Sequence, residues 1–200
     1  MSQYKKATFL LSAADVKQLP PDEGIEVAIV GRSNAGKSSV LNCITQNKKL
    51  ARVSKTPGRT QQINVFVLDE DRRLMDLPGY GFAKAPIREQ RKWEKTINDY
   101  FDDRTCLQGL VLVMDIRHPF KEMDMQMLDF CQHHDLSVHI VLNKSDKLSK
   151  GAAKSILLDA EPLLSAYGDL VTVQTFSALK NNGTKELQTV LDKWYEYSSS

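Results

Sequence analysis

The chain has 200 residues, enough for one domain whose core needs no disulfide or metal staple. It is 42% hydrophobic and 26% charged, with 27 Lys and Arg against 25 Asp and Glu, which excludes a polycationic tail protein and an acidic disordered one. Residues 27–68 nevertheless hold seven basic residues (Arg32, Lys37, Lys48, Lys49, Arg52, Lys55, Arg59) and no acidic one, a local charge that suits an anionic partner.

Residues 1–24 are expected as an extension that ends at the turn signal PPDEG. Lys5 and Lys6 precede ATFLLSAA in the order of a secretory leader, but that apolar stretch is short and runs into Asp15, Lys17 and Pro20. IEVAIV (25–30) is a buried strand, residues 31–36 a loop, and a helix starts near Lys37. Residues 47–62 are polar, basic and loop-like. INVFVLD (63–69) and RRLMDL (72–77) predict a hairpin. Ile87, Trp93, Ile97, Tyr100 and Phe101 share one helical face within 86–101, with Pro86 in the first turn. LVLVMD (110–115) is a fully buried strand. Phe120, Met123, Met127 and Phe130 form a helical stripe, assigned to core rather than to a binding groove. SVHIVLN (137–143), a helix within 151–167, LVTVQTF (170–176) and a helix bearing Leu187, Val190, Leu191, Trp194 and Tyr195 complete the series before a polar tail, 198–200. Alternating strands and helices predict an α/β fold: a mostly parallel six-stranded sheet with helices on both faces. Ligands of such sheets bind at the carboxyl ends of the strands.

Three motifs fall at those ends. GRSNAGKS (31–38) fits G-x-x-x-x-G-K-[ST] between a strand and a helix. By chance its fixed positions would coincide in roughly one protein of this length in a hundred. Backbone amides of Gly31, Arg32, Ser33, Asn34, Ala35 and Gly36 would converge on phosphate oxygens, helped by the dipole of the following helix. Lys37 would reach the β- and γ-phosphates, and the Ser38 hydroxyl would ligate Mg²⁺, a hard cation that prefers oxygen. DLPG (Asp76, Leu77, Pro78, Gly79) ends a strand about 40 residues later. Asp76 would hold the metal through water and the Gly79 amide would contact the γ-phosphate. NKSD (Asn143, Lys144, Ser145, Asp146) ends another strand. A fixed carboxylate at Asp146 accepts both guanine protons and faces a lone pair on adenine, so the motif selects GTP and GDP over adenosine nucleotides. Asn143 would tie this loop to the phosphate loop, Lys144 would cover the ring, and in FSALK (176–180) the Ala178 amide would donate to guanine O6. The ordered set resembles that of P-loop GTPases, which implies a three-layer P-loop NTPase domain.

Three longer stretches, SKTPGRTQQINVF (54–66), DLPGYGFAK (76–84) and DIRHP (115–119), resemble the EngB family of bacterial GTPases. The resemblance covers about residues 20–195. It implies a G domain over 25–197 that hydrolyses GTP, acts as a switch in large ribosomal subunit assembly, and is needed for normal division septation. It places Gly58, Arg59, Thr60, Gln61 and Gln62 in switch I, with the Thr60 hydroxyl on Mg²⁺ beside Ser38, and it lines the base with Phe176, Ser177 and Ala178. Catalysis then rests on Lys37, Thr60, Gly79 and the metal. Ser145 stands where Ala is commoner, at a position pointing away from the base. Many GTPases carry a water-orienting Gln after the D-x-x-G glycine; Tyr80 stands there, so slow turnover is expected. In related GTPases an Asn at the position of Asn34 helps hold K⁺; here it either does so or braces the loop.

Lys48–Arg59 would contact ribosomal RNA, with Arg88, Arg91, Lys92 and Lys95 extending that surface. The alternatives are a division scaffold that binds GTP without hydrolysis and a nucleoside kinase, for which a guanine reader has no purpose. Cys43, Cys106 and Cys131 form an odd set without paired spacing, and no apolar run reaches bilayer length, so a cytoplasmic monomer without membrane attachment is expected. The four histidines lack metal-site spacing, and Asp115, Arg117 and His118 are taken as a loop hydrogen-bond set rather than as catalysts.

Overall fold

The computed structural model describes residues 3–51, 62–81 and 87–197, without the side chains of Ile87 and Glu89. Among the described residues seven strands form one sheet: β1 (Thr8–Ala13), β2 (Ile25–Gly31), β3 (Ile63–Val67), β4 (Arg72–Asp76), β5 (Leu107–Asp115), β6 (Val138–Asn143) and β7 (Val171–Thr175). Their order is β1-β3-β4-β2-β5-β6-β7. β3 lies antiparallel to both β1 and β4, and the other pairs are parallel.

The count corrects the expected six strands. The seventh comes from the amino-terminal segment, where β1 lies along β3 from Thr8 opposite Val67 to Ala13 opposite Ile63. Only Ala13 of its six residues is buried, so β1 carries no alternation to betray it, and its pairing partner lies about fifty residues away.

Among the described residues five α-helices cover the sheet: α1 (Lys37–Thr45), α2 (Ile87–Asp103), α3 (Glu122–His133), α4 (Lys150–Leu164) and α5 (Thr184–Trp194). The period-two alternation of the central strands divides the core. Ala28, Val30, Leu110, Leu112 and Leu142 point to one face and meet Ile97, Tyr100 and Phe101 of α2, Met127 and Leu128 of α3, and Ala160 of α4. Val27, Ile29, Val111, Val113 and Val141 point to the other and meet Val40, Leu41 and Ile44 of α1 and Leu187 and Leu191 of α5. Each fully buried Leu or Ile contributes about 1.5–3 kcal/mol, and this two-sided burial holds the strand ends in place. The methionine stripe belongs to the core: Met127 is buried, and Phe120, Met123 and Phe130 pack against it. Among the described residues no helix is long and apolar enough to cross a membrane.

Candidate functional site

Register brings the motifs to one edge. Gly31 ends β2, Asp76 ends β4 opposite Ile29, Asp115 ends β5 opposite Asn143 of β6, and Thr175 ends β7 opposite Leu142. Gly58, Arg59, Thr60 and Gln61 lie outside the described residues, as do Arg52, Lys55 and Pro86; Gln62 is exposed just ahead of β3.

The loop 31–36 is held on two sides. The Ser33 amide donates to the Tyr80 carbonyl at 2.8 Å, and the Tyr80 amide donates to the Gly31 carbonyl at 3.3 Å. On the other side the Asn143 Nδ2 donates to the Ala35 carbonyl at 2.9 Å. Gly36 has φ +99°, and a Cβ there would lie 2.3 Å from that Asn143 nitrogen. Only glycine meets both conditions. The Lys37 and Ser38 amides then open α1 with no helix carbonyl to bond, which suits them to an anion. Ala35 is buried and the Asn34 side chain is exposed.

The Lys37 ammonium pairs with Asp76 Oδ1, and the Asn64 Nδ2 donates to Asp76 Oδ2 at 3.2 Å. Asp76 and Leu77 are buried, and the Leu77 amide donates to the Ile29 carbonyl at 2.9 Å. The Pro78 carbonyl accepts from Trp93 Nε1 at 2.8 Å, so α2 anchors this loop. Gly79 lies against Gly31: a Cβ on it would meet the Gly31 carbonyl at 3.1 Å. Tyr80 turns inward, 1% exposed, and its hydroxyl donates to Asp124 Oδ1 at 2.6 Å. Burial, and then the Asp124 carboxylate beside it, push the Tyr80 phenol well up, so it stays protonated in the core.

Asn143 is 1% exposed and joins three loops, because its Oδ1 also accepts from the Ala178 amide at 3.3 Å. The Lys144 Nζ donates to the Asn34 carbonyl at 2.6 Å and to Asp115 Oδ2 at 2.9 Å. The Ser177 hydroxyl donates to Asp146 Oδ1 at 2.6 Å and holds that carboxyl below the usual carboxylate range. Asp146 is therefore ionised and fixed, as an acceptor for two donors must be. The Ser145 amide donates to the Phe176 carbonyl at 3.0 Å. The Phe176 ring is fully buried in the core, so this residue offers the loop its backbone rather than its ring.

Two contributors were not expected at the site: Asn64 reaches it through cross-strand register, and the Cys43 thiol, 3.3 Å from the Ala178 carbonyl, through packing of α1. Asp115, read from the sequence as part of a loop hydrogen-bond set, does accept from Arg117, and register also brings it to Lys144. Ser38 and Asp76 supply oxygen donors alone, the set a hard divalent cation takes, and a cation, the Lys37 ammonium, already sits on Asp76 Oδ1. The residues therefore fit Mg²⁺. No cluster of three His, Cys, Asp or Glu side chains able to hold a metal occurs among the described residues.

A phosphate loop, a buried strand-end aspartate and an N-K-x-D loop along one edge of a mostly parallel sheet define a P-loop GTPase. The family described as "50S ribosome-binding GTPase" matches residues 26–144. A probable GTP-binding protein EngB of Coxiella burnetii is 54% identical over 192 residues, 96% of this chain and 94% of that one. Another of the same name from Ruthia magnifica is 54% identical over 194 residues, 97% of each. The chain belongs to the EngB family of GTP-binding proteins. Two solved structures share the fold. A crystal structure of a probable GTP-binding protein engB has a TM-score of 0.68 at 22% identity, covering 86% of this chain and 100% of that one. Aquifex aeolicus Era bound to GDP and AlF4⁻ has a TM-score of 0.69 at 20% identity, covering 88% and 58%.

Proposed function

We propose that this protein binds GTP and GDP at the strand-end edge, hydrolyses GTP slowly, and uses the exchange as a switch in assembly of the large ribosomal subunit, on which normal division depends. The observation that carries the nucleotide reading is buried Asn143, which locks the Ala35 and Ala178 loops together beside the ionised Asp146. The phosphates would lie over the Lys37 and Ser38 amides, with the Lys37 ammonium moving from Asp76 toward them. Ser38, Asp76 and Thr60 would hold Mg²⁺, which when bound offsets charge on the β- and γ-oxygens. This chain's own contribution is positioning and charge stabilisation. Slow turnover follows from Tyr80: its hydroxyl is committed to Asp124, so it does not orient a water.

The ribosomal part of the reading is supported by the family's description and by surface charge. Lys48, Lys49, Arg88, Arg91 and Lys92 are exposed, as is Lys95, which pairs with Asp99. Such a surface suits a phosphate backbone and a salt-sensitive association.

The test is a calorimetric panel of GTP, GDP and ATP, with and without 50S particles. Guanine nucleotides bind, ATP does not, and Asp146→Ala loses guanine binding by about a hundredfold, since two hydrogen bonds to a charged acceptor vanish. GTP, not GDP, promotes binding to the 50S particle; equal binding with either leaves the scaffold alternative. Hydrolysis compared in KCl and NaCl decides whether Asn34 helps hold K⁺, with equal rates counting against it.

A further inference from the structure

Ser12, Asn64 and Asp76 stand at one register across three adjacent strands. Ser12 of β1 is opposite Asn64 of β3, and Asn64 is opposite Asp76 of β4. Side chains directly opposite in antiparallel pairs share a face and meet. Here they form a polar row: the Ser12 hydroxyl donates to Asn64 Oδ1 at 2.6 Å, and the Asn64 Nδ2 donates to Asp76 Oδ2 at 3.2 Å. The row ends on the carboxylate whose other oxygen pairs with Lys37.

The chemistry fixes the direction of every bond. An ionised carboxylate only accepts, so the Asn64 amide must turn its nitrogen to Asp76. Its oxygen then faces Ser12, whose hydroxyl donates. A flipped amide would set its oxygen against the carboxylate. Asp76 thus has one oxygen occupied from β3 and the other left toward the phosphate loop.

We infer that Asn64 is a positioning residue for Asp76, and that Ser12 sets the Asn64 amide, so that the amino-terminal strand β1 reaches the metal-facing edge of the nucleotide site. The inference rests on the nucleotide reading above. Partners one step behind a metal-facing carboxylate orient it and tune the affinity of the site for the ion. Neither Asn64 nor Ser12 touches the phosphate loop in the hydrogen bonds described, so their effect belongs to the metal-dependent part of binding.

The experiment titrates free Mg²⁺ against binding of fluorescent methylanthraniloyl-GTP, on the full chain, with chelated samples as the metal-free limit. Asn64→Leu keeps the branching and the number of heavy atoms of the side chain and removes both polar atoms. It raises the Mg²⁺ midpoint about tenfold and leaves metal-free affinity within about twofold. Ser12→Ala, at an exposed position where folding is not at stake, shifts the midpoint the same way by about two- to threefold. The double variant is no worse than Asn64→Leu, because Ser12 acts through Asn64. Unchanged midpoints with lowered melting temperatures reduce the row to a structural staple and overturn the inference. Additive shifts overturn the part assigned to β1. If Asn64→Leu does not fold, Ser12→Ala decides the matter, and an unchanged midpoint there overturns it. A wild-type protein that binds no guanine nucleotide at any Mg²⁺ concentration refutes the nucleotide reading itself, and the inference with it.

Discussion

Asp115 joins parts of the site that the sequence keeps far apart. Its Oδ1 accepts from the Arg117 amide at 3.1 Å and from Arg117 Nε at 3.0 Å, and its Oδ2 accepts from Lys144 Nζ. Lys144 in turn holds the Asn34 carbonyl of the phosphate loop. Burial raises the Asp115 carboxyl, but the hydrogen bonds from Arg117 and Lys144 outweigh it and hold it well below the usual carboxylate range. A carboxyl so depressed keeps its contribution above its unfolded pKa of about 3.9 and loses it only at lower pH. Asp115→Ala leaves the Lys144 ammonium with one partner fewer and frees it from β5. GDP affinity falls about tenfold, the worth of one charge-assisted hydrogen bond. Arg117→Ala, on the outer side of the same carboxylate, costs about threefold or less, because its side chain is 42% exposed. Dissociation rates of fluorescent GDP compare the two. An Arg117 effect equal to that of Asp115 would mean that the loop, not Lys144, is what the carboxylate serves.

Elements whose residues share one face were legible because burial writes its period into the chain. The apolar stripes of α2, α3 and α5 are such patterns, and the continuous apolar runs of β2, β5 and β6 mark strands buried on both faces. The phosphate loop was legible for another reason: its chemistry is packed into eight consecutive residues. β1 and the Ser12–Asn64–Asp76 row were not, since both depend on which strand lies beside which. The same holds for the pair β6–β7, where His139, 3% exposed, has Nε2 at 2.8 Å from Gln174 Oε1 and Nδ1 at 2.7 Å from Thr172 Oγ1. An amide oxygen only accepts, so the neutral ring carries its proton on Nε2 and accepts the Thr172 hydroxyl. Burial pushes the His139 pKa down. The unfolded chain therefore binds a proton near pH 6.5 that the folded chain refuses, and stability falls as pH drops from there through the lower folded value. His139→Gln removes that slope. Urea midpoints measured between neutrality and pH 5 give the comparison; parallel curves for the two proteins would assign the acid sensitivity elsewhere.

At the scale of the whole molecule, the first and last described segments meet near the strand ends remote from the site. Buried Glu26, at the start of β2, receives Arg104, Arg73 Nε at 3.1 Å and the Tyr100 hydroxyl at 3.0 Å. Nearby, the Arg72 Nε donates to the Tyr195 carbonyl at 2.6 Å, and the Tyr195 hydroxyl donates to the Arg73 carbonyl at 2.9 Å, fastening the end of α5 to β4. Tyr4 joins this cluster from the other terminus. It is 2% exposed, its ring lies 6.3 Å from Tyr195 and 6.1 Å from Tyr197, and its hydroxyl donates to Asp192 at 2.6 Å. Terminal residues are ordered only when tied down, and Tyr4 ties the segment ahead of β1 to the end of α5. Tyr4→Ala should cost about 3 kcal/mol through the lost ring, and the melting temperature of a domain this size then falls by about 6–12 °C. Tyr4→Phe keeps the packing and forfeits one hydrogen bond, about 1 kcal/mol. If β1 is held from this end, Tyr4→Ala also raises proteolytic cleavage within residues 3–13 while the core 25–197 stays resistant. A melting temperature within a degree of wild type would show that β1 holds its place by pairing with β3 alone.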